Sequence, residues 1–82
     1  MNTKDTIREF IAVEILHDTL ASPLTDQDLL IESGIIDSLG IMSLLTFLED
    51  KFSIQIPGEE LIQENFESIS TIATLVDRHL VR

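Results

Sequence analysis

Residues 37–52 read DSLGIMSLLTFLEDKF, and this stretch of the sequence determines the fold. At roughly 100° per residue, several of its apolar side chains fall within about 50° of one direction around a helix. These are Ile41, Leu44, Leu45, Leu48 and Phe52. The opposite face carries Leu39, Met42, Ser43, Thr46, Glu49 and Asp50. The pattern therefore predicts a helix from Asp37 and Ser38 to about Phe52, with one buried face and one exposed face.

Two more long helices are predicted, one on each side of this stretch. The first covers roughly residues 3–18 and the last about residues 69–80, because apolar residues recur there at helical spacing. They are Ile7, Phe10, Ile11 and Ile15 in the first helix, and Ile69, Ile72, Ala73, Val76 and Leu80 in the last. Ser68 is the expected N-cap of the last helix. A short helix is also predicted near residues 59–65, because Glu59 and Glu60 suit a helix N-terminus.

A long connection is expected between the first two main helices, from Ser22-Pro23 to Asp37. Its apolar residues require burial, so it should pack across the bundle. They are Leu24, Leu29, Leu30, Ile31, Ile35 and Ile36. Only residues 52–56 alternate between apolar and polar, and so short a strand would have no partner. The sequence therefore predicts an all-α fold: a four-helix bundle of three main helices and one short helix, with a long first loop.

Length and composition favour one small domain over residues 1–82. The chain has 82 residues, of which 44% are hydrophobic, so it has enough apolar surface to form a core. It contains no cysteine, which excludes disulfides, thiolate metal sites and any thiol chemistry by its own side chains. A sulfur nucleophile, if the protein uses one, must therefore come from a cofactor.

The charge balance is strongly acidic. Fifteen acidic and five basic residues give a formal net charge of −10, which repels nucleic acids and anionic membranes and favours partners with basic surfaces. Composition alone is equally consistent with acidic residues that only keep a small protein in solution. The sequence has no signal-peptide core and no segment long enough to span a bilayer. We therefore expect a cytoplasmic monomer that binds no nucleic acid and does not insert into membranes.

The side chains offer little to catalysis. The two histidines, His17 and His79, stand in no recognisable ligand or triad spacing. Asp26 and Asp28 resemble the start of a calcium loop, but the position that requires glycine is Ile31. No glycine-rich phosphate loop is present either. We therefore expect neither an enzyme nor a metal site.

Ser38 is the candidate functional residue. The simplest interpretation is structural, because Asp and Ser are common at helix N-termini. Two features favour a function as well. A helix N-terminus stabilises an anion, so a phosphodiester on Ser38 would be well placed. Leu39 and Met42 lie beside it on the exposed face, and exposed apolar groups suit a docking surface, although single exposed apolar residues are also ordinary.

Several segments of the chain resemble the acyl carrier protein and peptidyl carrier protein family. They are residues 35–39 (IIDSL), 44–52 (LLTFLEDKF), 54–57 (IQIP) and 69–73 (ISTIA). Each segment alone is common, but the ordered set, which covers about residues 5–80, is specific. The resemblance implies an acyl-carrier-type bundle that carries 4′-phosphopantetheine.

The resemblance also implies roles for individual residues. In that family the serine of the Asp-Ser-Leu motif, here Ser38, receives the arm from coenzyme A through a phosphopantetheinyl transferase. The thiol of the arm then holds cargo as a thioester, which a loading ligase or acyltransferase attaches and other enzymes process. Asp37 and Leu39 flank the attachment residue, and Asp37 helps to position it. The partner-docking face of the family aligns with Leu39, Met42, Thr46, Glu49 and Asp50.

Two residues depart from the pattern of fatty-acid carriers, which usually have acidic residues where this chain has Gly40 and Ser43. The departure favours a free-standing carrier in specialised acyl, polyketide or nonribosomal peptide-type biosynthesis. Residues 35–40 and 65–68 look more like aminoacyl or other specialised carriers, and the sequence leaves the cargo open. The alternative is an acidic helical protein-interaction domain without a prosthetic group.

Overall fold

The computed structural model describes residues 3–16 and 24–80. Its elements are α1 (Thr3–Phe10), a π-helical segment (Ile11–Ile15), α2 (Ser38–Phe52), two 3₁₀ turns (Gly58–Glu60 and Gln63–Phe66) and α3 (Ile69–Leu80). No strand occurs in the described part of the chain, and the predicted all-α fold is confirmed. The predicted end of the first helix, His17 and the Ser22-Pro23 start of the long loop lie outside the described residues.

The longest of the described helices, α2, has 15 residues. Within residues 3–16 and 24–80, no helix has the length and apolar character that crossing a bilayer requires.

The first helix changes its hydrogen-bonding pattern after Phe10. The Leu16 N–H donates to the Ile11 carbonyl at 2.9 Å, five residues back, as in a π-helix. Ile7 and Ile11 are fully buried, whereas Val13 is 42% exposed. Because the wider turn rotates the residues that follow, Leu16, which lies off the predicted apolar face, packs against the core.

The short helix predicted near residues 59–65 is wrong in detail, because this region forms two 3₁₀ turns. They are separated by Ile62, whose backbone is extended (φ −114°, ψ 153°). The side-chain amide of Asn65 donates to the Glu60 carbonyl at 2.8 Å. In a continuous helix, the Glu60 carbonyl would accept a backbone N–H from the next turn. Because the Asn65 side chain bonds to this carbonyl instead, the first turn ends there.

One apolar core lies between the helices. From α2 it receives Leu44, Leu45 and Leu48, with Ile41 and Phe52 packed partly buried at its edge. From α3 it receives Ile69, Ile72, Ala73, Leu75 and Val76, whereas Leu80 in the last turn is 41% exposed. The buried face predicted for α2 is therefore confirmed, and that of α3 is confirmed except at Leu80, which lies beyond the core.

The N-terminus of α3 has the predicted cap. The Ser68 hydroxyl accepts the Thr71 N–H at 3.3 Å, and the Thr71 hydroxyl accepts the Ser68 N–H at 2.9 Å. The two residues thus satisfy each other's backbone donors, with threonine in the position that glutamate or glutamine usually takes in a capping box.

The long loop packs across the bundle, as predicted, but the expected burial of Leu29 is wrong, because this side chain is 38% exposed. Leu24, Leu30 and Ile36 are buried, and the Leu30 N–H donates to the Glu67 carbonyl at 2.8 Å. Asp26 joins the loop to both outer helices. Its carboxylate pairs with Arg8 of α1, and its carbonyl accepts the Ser70 N–H of α3 at 3.1 Å.

We expect Leu48→Ala to destabilise the protein far more than Met42→Ala. Leu48 is fully buried, so its truncation should cost about 2–5 kcal/mol, because a cavity remains. Met42 is 55% exposed and lies on the same helix, which makes it a matched control. Chemical denaturation of both variants measures the difference. Equal losses of stability would show that the two faces of α2 are assigned incorrectly.

Candidate functional site

The chain passes from the core to the surface within two residues at the start of α2. Ile36 is only 2% exposed, and its N–H donates to the Leu30 carbonyl at 3.0 Å. Asp37 and Ser38 are exposed, and Leu39 is 79% exposed. A buried anchor therefore lies two residues before an exposed serine.

Asp37 is the N-cap of α2. Its backbone is extended (φ −102°, ψ −173°), and its side-chain Oδ1 accepts the Gly40 N–H at 2.8 Å. Its carbonyl accepts the first intrahelical bond, from the Ile41 N–H at 2.9 Å. Ser38 is thus the first residue of a capped helix. Asp37 fixes its backbone, and the hydroxyl group remains on the surface.

The start of α2 suits a phosphate ester on Ser38. The carboxylate of Asp37 takes the Gly40 N–H, while the amides of Ser38 and Leu39 have no acceptor among the described residues. These donors and the positive end of the helix dipole favour an anion by about 0.3–1 kcal/mol. The exposed hydroxyl, the open amides and the helix end therefore fit a phosphodiester without any basic side chain.

The predicted docking residues all lie on one side of α2, but not in equal environments. Leu39 and Met42 are 79% and 55% exposed, and Thr46 and Asp50 are also exposed. Glu49 is half-buried, and its Oε2 accepts the Ile56 N–H at 3.0 Å. Its carboxylate therefore fastens the segment after α2, and Asp50 is the more accessible acidic group of this face.

Gly40 has a packing role that the sequence interpretation missed. A Cβ on Gly40 would lie 2.7 Å from Cγ2 of Ile36 and 3.6 Å from Cγ2 of Ile15. The first distance is too short for two carbon atoms, so only glycine lets the buried Ile36 pack against the first turn of α2. The signal in the sequence was a glycine inside a helix, where it costs about 1 kcal/mol relative to alanine.

A groove that no sequence pattern indicated lies beside the start of α2. Phe10, Glu14 and Ile15 form one wall, and Asp37, Leu39 and Ser43 form the other. Its volume is about 370 Å³. We call it the Ser38 groove, because both neighbours of Ser38 line it.

The other candidate groups have structural partners. His79 Nε2 lies 2.6 Å from Glu60 Oε1, which joins α3 to the first 3₁₀ turn. Asp26 pairs with Arg8, and Asp28 Oδ2 accepts the Thr25 N–H at 2.9 Å. Among residues 3–16 and 24–80, no three His, Cys, Asp or Glu side chains are grouped so that they could hold a metal ion.

Comparisons with known proteins agree on one family. Residues 5–78 match a family described as "Phosphopantetheine attachment site". A D-alanyl carrier protein of Streptococcus suis is 33% identical over 72 residues, which cover 88% of this chain and 87% of that protein.

Solved structures share the fold of this chain. One similar chain comes from a crystal structure of an FAD-dependent dehydrogenase; the TM-score is 0.77 at 33% identity, and the match covers 85% of this chain and 97% of that one. Another comes from a Bradyrhizobium japonicum glycine:[carrier protein] ligase complexed with its cognate carrier protein and an analogue of glycyl adenylate. Its TM-score is 0.74 at 26% identity, with 94% of this chain and 99% of that one covered.

We expect Gly40→Ala to destabilise the protein, although alanine is the better helix former. The stiff, β-branched side chain of Ile36 has to move, and overpacking of this kind costs about 1–3 kcal/mol, against about 1 kcal/mol gained in helix propensity. Gly58→Ala is the matched control, because a Cβ there meets no atom within 4 Å. Thermal and chemical unfolding test the pair. A Gly40→Ala variant more stable than the wild type would disprove the close contact.

Proposed function

The chain belongs to the family of phosphopantetheine attachment domains, and we propose that Ser38 is its attachment residue and that its cargo is an aminoacyl group. Carrier function and a covalent 4′-phosphopantetheine group follow from membership of the family. The assignment to Ser38 rests on one observation: this serine is exposed as the first residue of a capped helix, two residues after a buried anchor.

The attached group supplies a thiol on a flexible tether, which holds the cargo as a thioester. The protein itself positions the point at which the arm is attached. Ser38 Oγ would form the bond to the pantetheine-bearing phosphorus of coenzyme A, while the P–O bond of the pyrophosphate breaks and adenosine 3′,5′-bisphosphate leaves. The proton of Ser38 would pass to a base of the transferase, since the carboxylate of Asp37 caps the helix. The open amides of Ser38 and Leu39 would be available to the phosphate as hydrogen-bond donors. Because the chain has no cysteine, the thiol of the arm is the only thiol of the loaded protein.

The relatives support an aminoacyl cargo. One is named a D-alanyl carrier protein, and another was solved with a glycine:[carrier protein] ligase. The first turns of α2 add a second argument, because Gly40 and Ser43 leave this part of the exposed face without acidic side chains. A loading ligase would instead contact Leu39 and Met42, which are the most exposed apolar residues of α2.

The partners proposed here are a phosphopantetheinyl transferase, an aminoacyl ligase that loads the thiol, and an enzyme that accepts the aminoacyl group. The chain itself performs no catalytic step in this scheme. We place it in the cytoplasm, where coenzyme A and amino acids are available for modification and loading.

Incubation with coenzyme A and a broad-specificity phosphopantetheinyl transferase should add the mass of one arm to the wild-type protein. Ser38→Ala should abolish the addition. Ser43→Ala is the matched control, because Ser43 is also exposed on α2 but lies beyond the first turn, so it should be modified like the wild type. Intact-mass spectrometry measures all three. An unmodified wild type, beside a modified control carrier, would favour the acidic interaction domain instead.

Leu39→Ala should lower the kcat/KM of arm transfer about fivefold, the effect of losing about 1 kcal/mol of contact with the enzyme. Leu80→Ala is the control, because this leucine is exposed on α3, away from the attachment residue in the sequence. Transfer of a fluorescent coenzyme A analogue at several protein concentrations gives both values. Equal rates for the two variants would contradict docking at the start of α2.

A further inference from the structure

The π-helical turn after α1 changes the direction of Ile15. In a regular α-helix, Ile15 would lie four residues after the buried Ile11, on the same face. Here the Leu16 N–H bonds to the Ile11 carbonyl at 2.9 Å, so Leu16 takes the position that Ile15 would otherwise have. Ile15 is therefore the additional residue of the turn, and its side chain is displaced sideways from the buried face.

The displaced side chain meets the first turn of α2. Cγ2 of Ile15 lies 3.6 Å from the position that a Cβ on Gly40 would take. The other two atoms nearest to that position belong to Ile36 and Asp37, which directly precede α2. Ile15 also lines the Ser38 groove, opposite Asp37 and Leu39. Among the described residues, Ile15 is thus the nearest contact of the first helix with Gly40.

Gly40 is the residue of this turn that needs support. It has no side chain, and glycine loses more conformational freedom on folding than any other residue. Its N–H is held by the Asp37 carboxylate at 2.8 Å. Its open face is covered by Ile36 from the core and by Ile15 from the first helix. Ser38 lies two residues earlier in the same turn, so a shift of Gly40 displaces Ser38 as well.

A stacked pair of aromatic rings fixes the place from which the π-helical turn starts. Phe10 is the last residue of α1, and Phe47 lies on α2. Their ring centroids are 4.1 Å apart, and the planes meet at 15°. The two contacts on α2, at Phe47 and at Gly40, are about 10 Å apart along the helix axis. Together they fix how the first helix lies against the start of α2.

We propose that Ile15 is a positioning residue for the transfer of the arm to Ser38, and that its Cγ2 methyl group acts by holding Gly40 in the first turn of α2. The inference rests on the proposed function, because it concerns the same reaction at Ser38. In this scheme Ile15 contacts neither the arm nor the reacting atoms. The π-helical turn supplies the geometry, since in a regular helix Ile15 would face the core and only Ile36 would support Gly40.

A positioning role and a docking role have different kinetic effects. Leu39 and Met42, the most exposed apolar residues of α2, stay available to the transferase when Ile15 is changed. The KM of the carrier should therefore be little changed. The kcat should fall, because a reacting group that is displaced by about 1 Å can lose about 10²-fold in rate.

Two conservative variants separate the methyl contact from the burial of apolar volume. Ile15→Val keeps the branched Cβ, and with it a methyl group at Gly40, although the side chain is smaller. Ile15→Leu has as many carbon atoms as the wild type but no methyl group on Cβ. We expect the kcat of arm transfer to stay near the wild-type value for Ile15→Val and to be about fivefold to tenfold lower for Ile15→Leu, part of the loss that a full displacement causes.

Burial alone gives the opposite order, because leucine removes more apolar surface from water than valine does. Transfer of a fluorescent coenzyme A analogue at several concentrations of each variant gives kcat and KM separately. Equal kcat values for the two variants, or a lower kcat for Ile15→Val, would overturn the positioning role.

Hydrogen exchange of the Gly40 N–H tests the contact without a transferase. In Ile15→Leu this amide should exchange about fourfold faster than in the wild type, the effect of losing the burial of one methyl group. In Ile15→Val it should exchange at the wild-type rate. Phe52→Leu is the control, because Phe52 also packs half-buried at the edge of the core but lies at the other end of α2. It should leave both the exchange of Gly40 and kcat unchanged.

The inference and the proposed function fail in different ways. If the wild-type protein accepts no arm, the proposed function fails and the inference fails with it. If the arm is added, but Ile15→Leu leaves kcat and the exchange of Gly40 at their wild-type values, the inference alone fails.

Discussion

The contact between Ile36 and Gly40 is the constraint on which the site depends. Ile36 is buried in the core, and its methyl group occupies the space that any larger residue at position 40 would need. The first turn of α2 can therefore sit directly on the core. Asp37, between the anchor and the helix, closes that turn with its side chain. Ile36 and Asp37, the two residues before Ser38, are held by these contacts, and Ser38 therefore stays at the surface.

The long loop is held at several points, and this rigidity reaches the site. Asp26 pairs with Arg8 of α1 and bonds to Ser70 of α3, while Leu30 bonds to Glu67 just before α3. The carbonyl of Leu30 then accepts the N–H of Ile36. A series of bonds thus leads from the outer helices to the residue that anchors α2. The loop positions the serine although it contains little regular structure.

Much of this fold was predictable from periodicity, because apolar spacing records which face of a helix is buried. The bounds of α2 and α3, and the cap at Ser68, agree with the structure for that reason. The π-helical turn after Phe10 and the break at Ile62 were not predictable, since they depend on hydrogen bonds that replace the regular helical pattern.

The site shows the same division between local pattern and tertiary contact. The exposure of Ser38 and the cap at Asp37 follow from neighbours in the sequence. The bond from Glu49 to Ile56 and the groove against α1 follow from the approach of segments outside α2. The need for glycine at position 40 follows from the burial of Ile36, which lies just before α2. No spacing rule within α2 contains that information. From the sequence, Glu49 was therefore predicted to belong to the docking face, and Gly40 was interpreted only as a departure from fatty-acid carriers.

The fixed position of Ser38 on the surface has a geometric consequence for any enzyme that works on the cargo. With Ser38 as the proposed attachment residue, the origin of the tether does not move relative to the helix, and the bundle blocks one side of it. The sulfur can therefore explore only a half-sphere above the start of α2. An enzyme whose reacting centre lies at the end of a tunnel must bring the mouth of that tunnel almost flush with this helix end, and the depth of the tunnel cannot exceed the tether's reach.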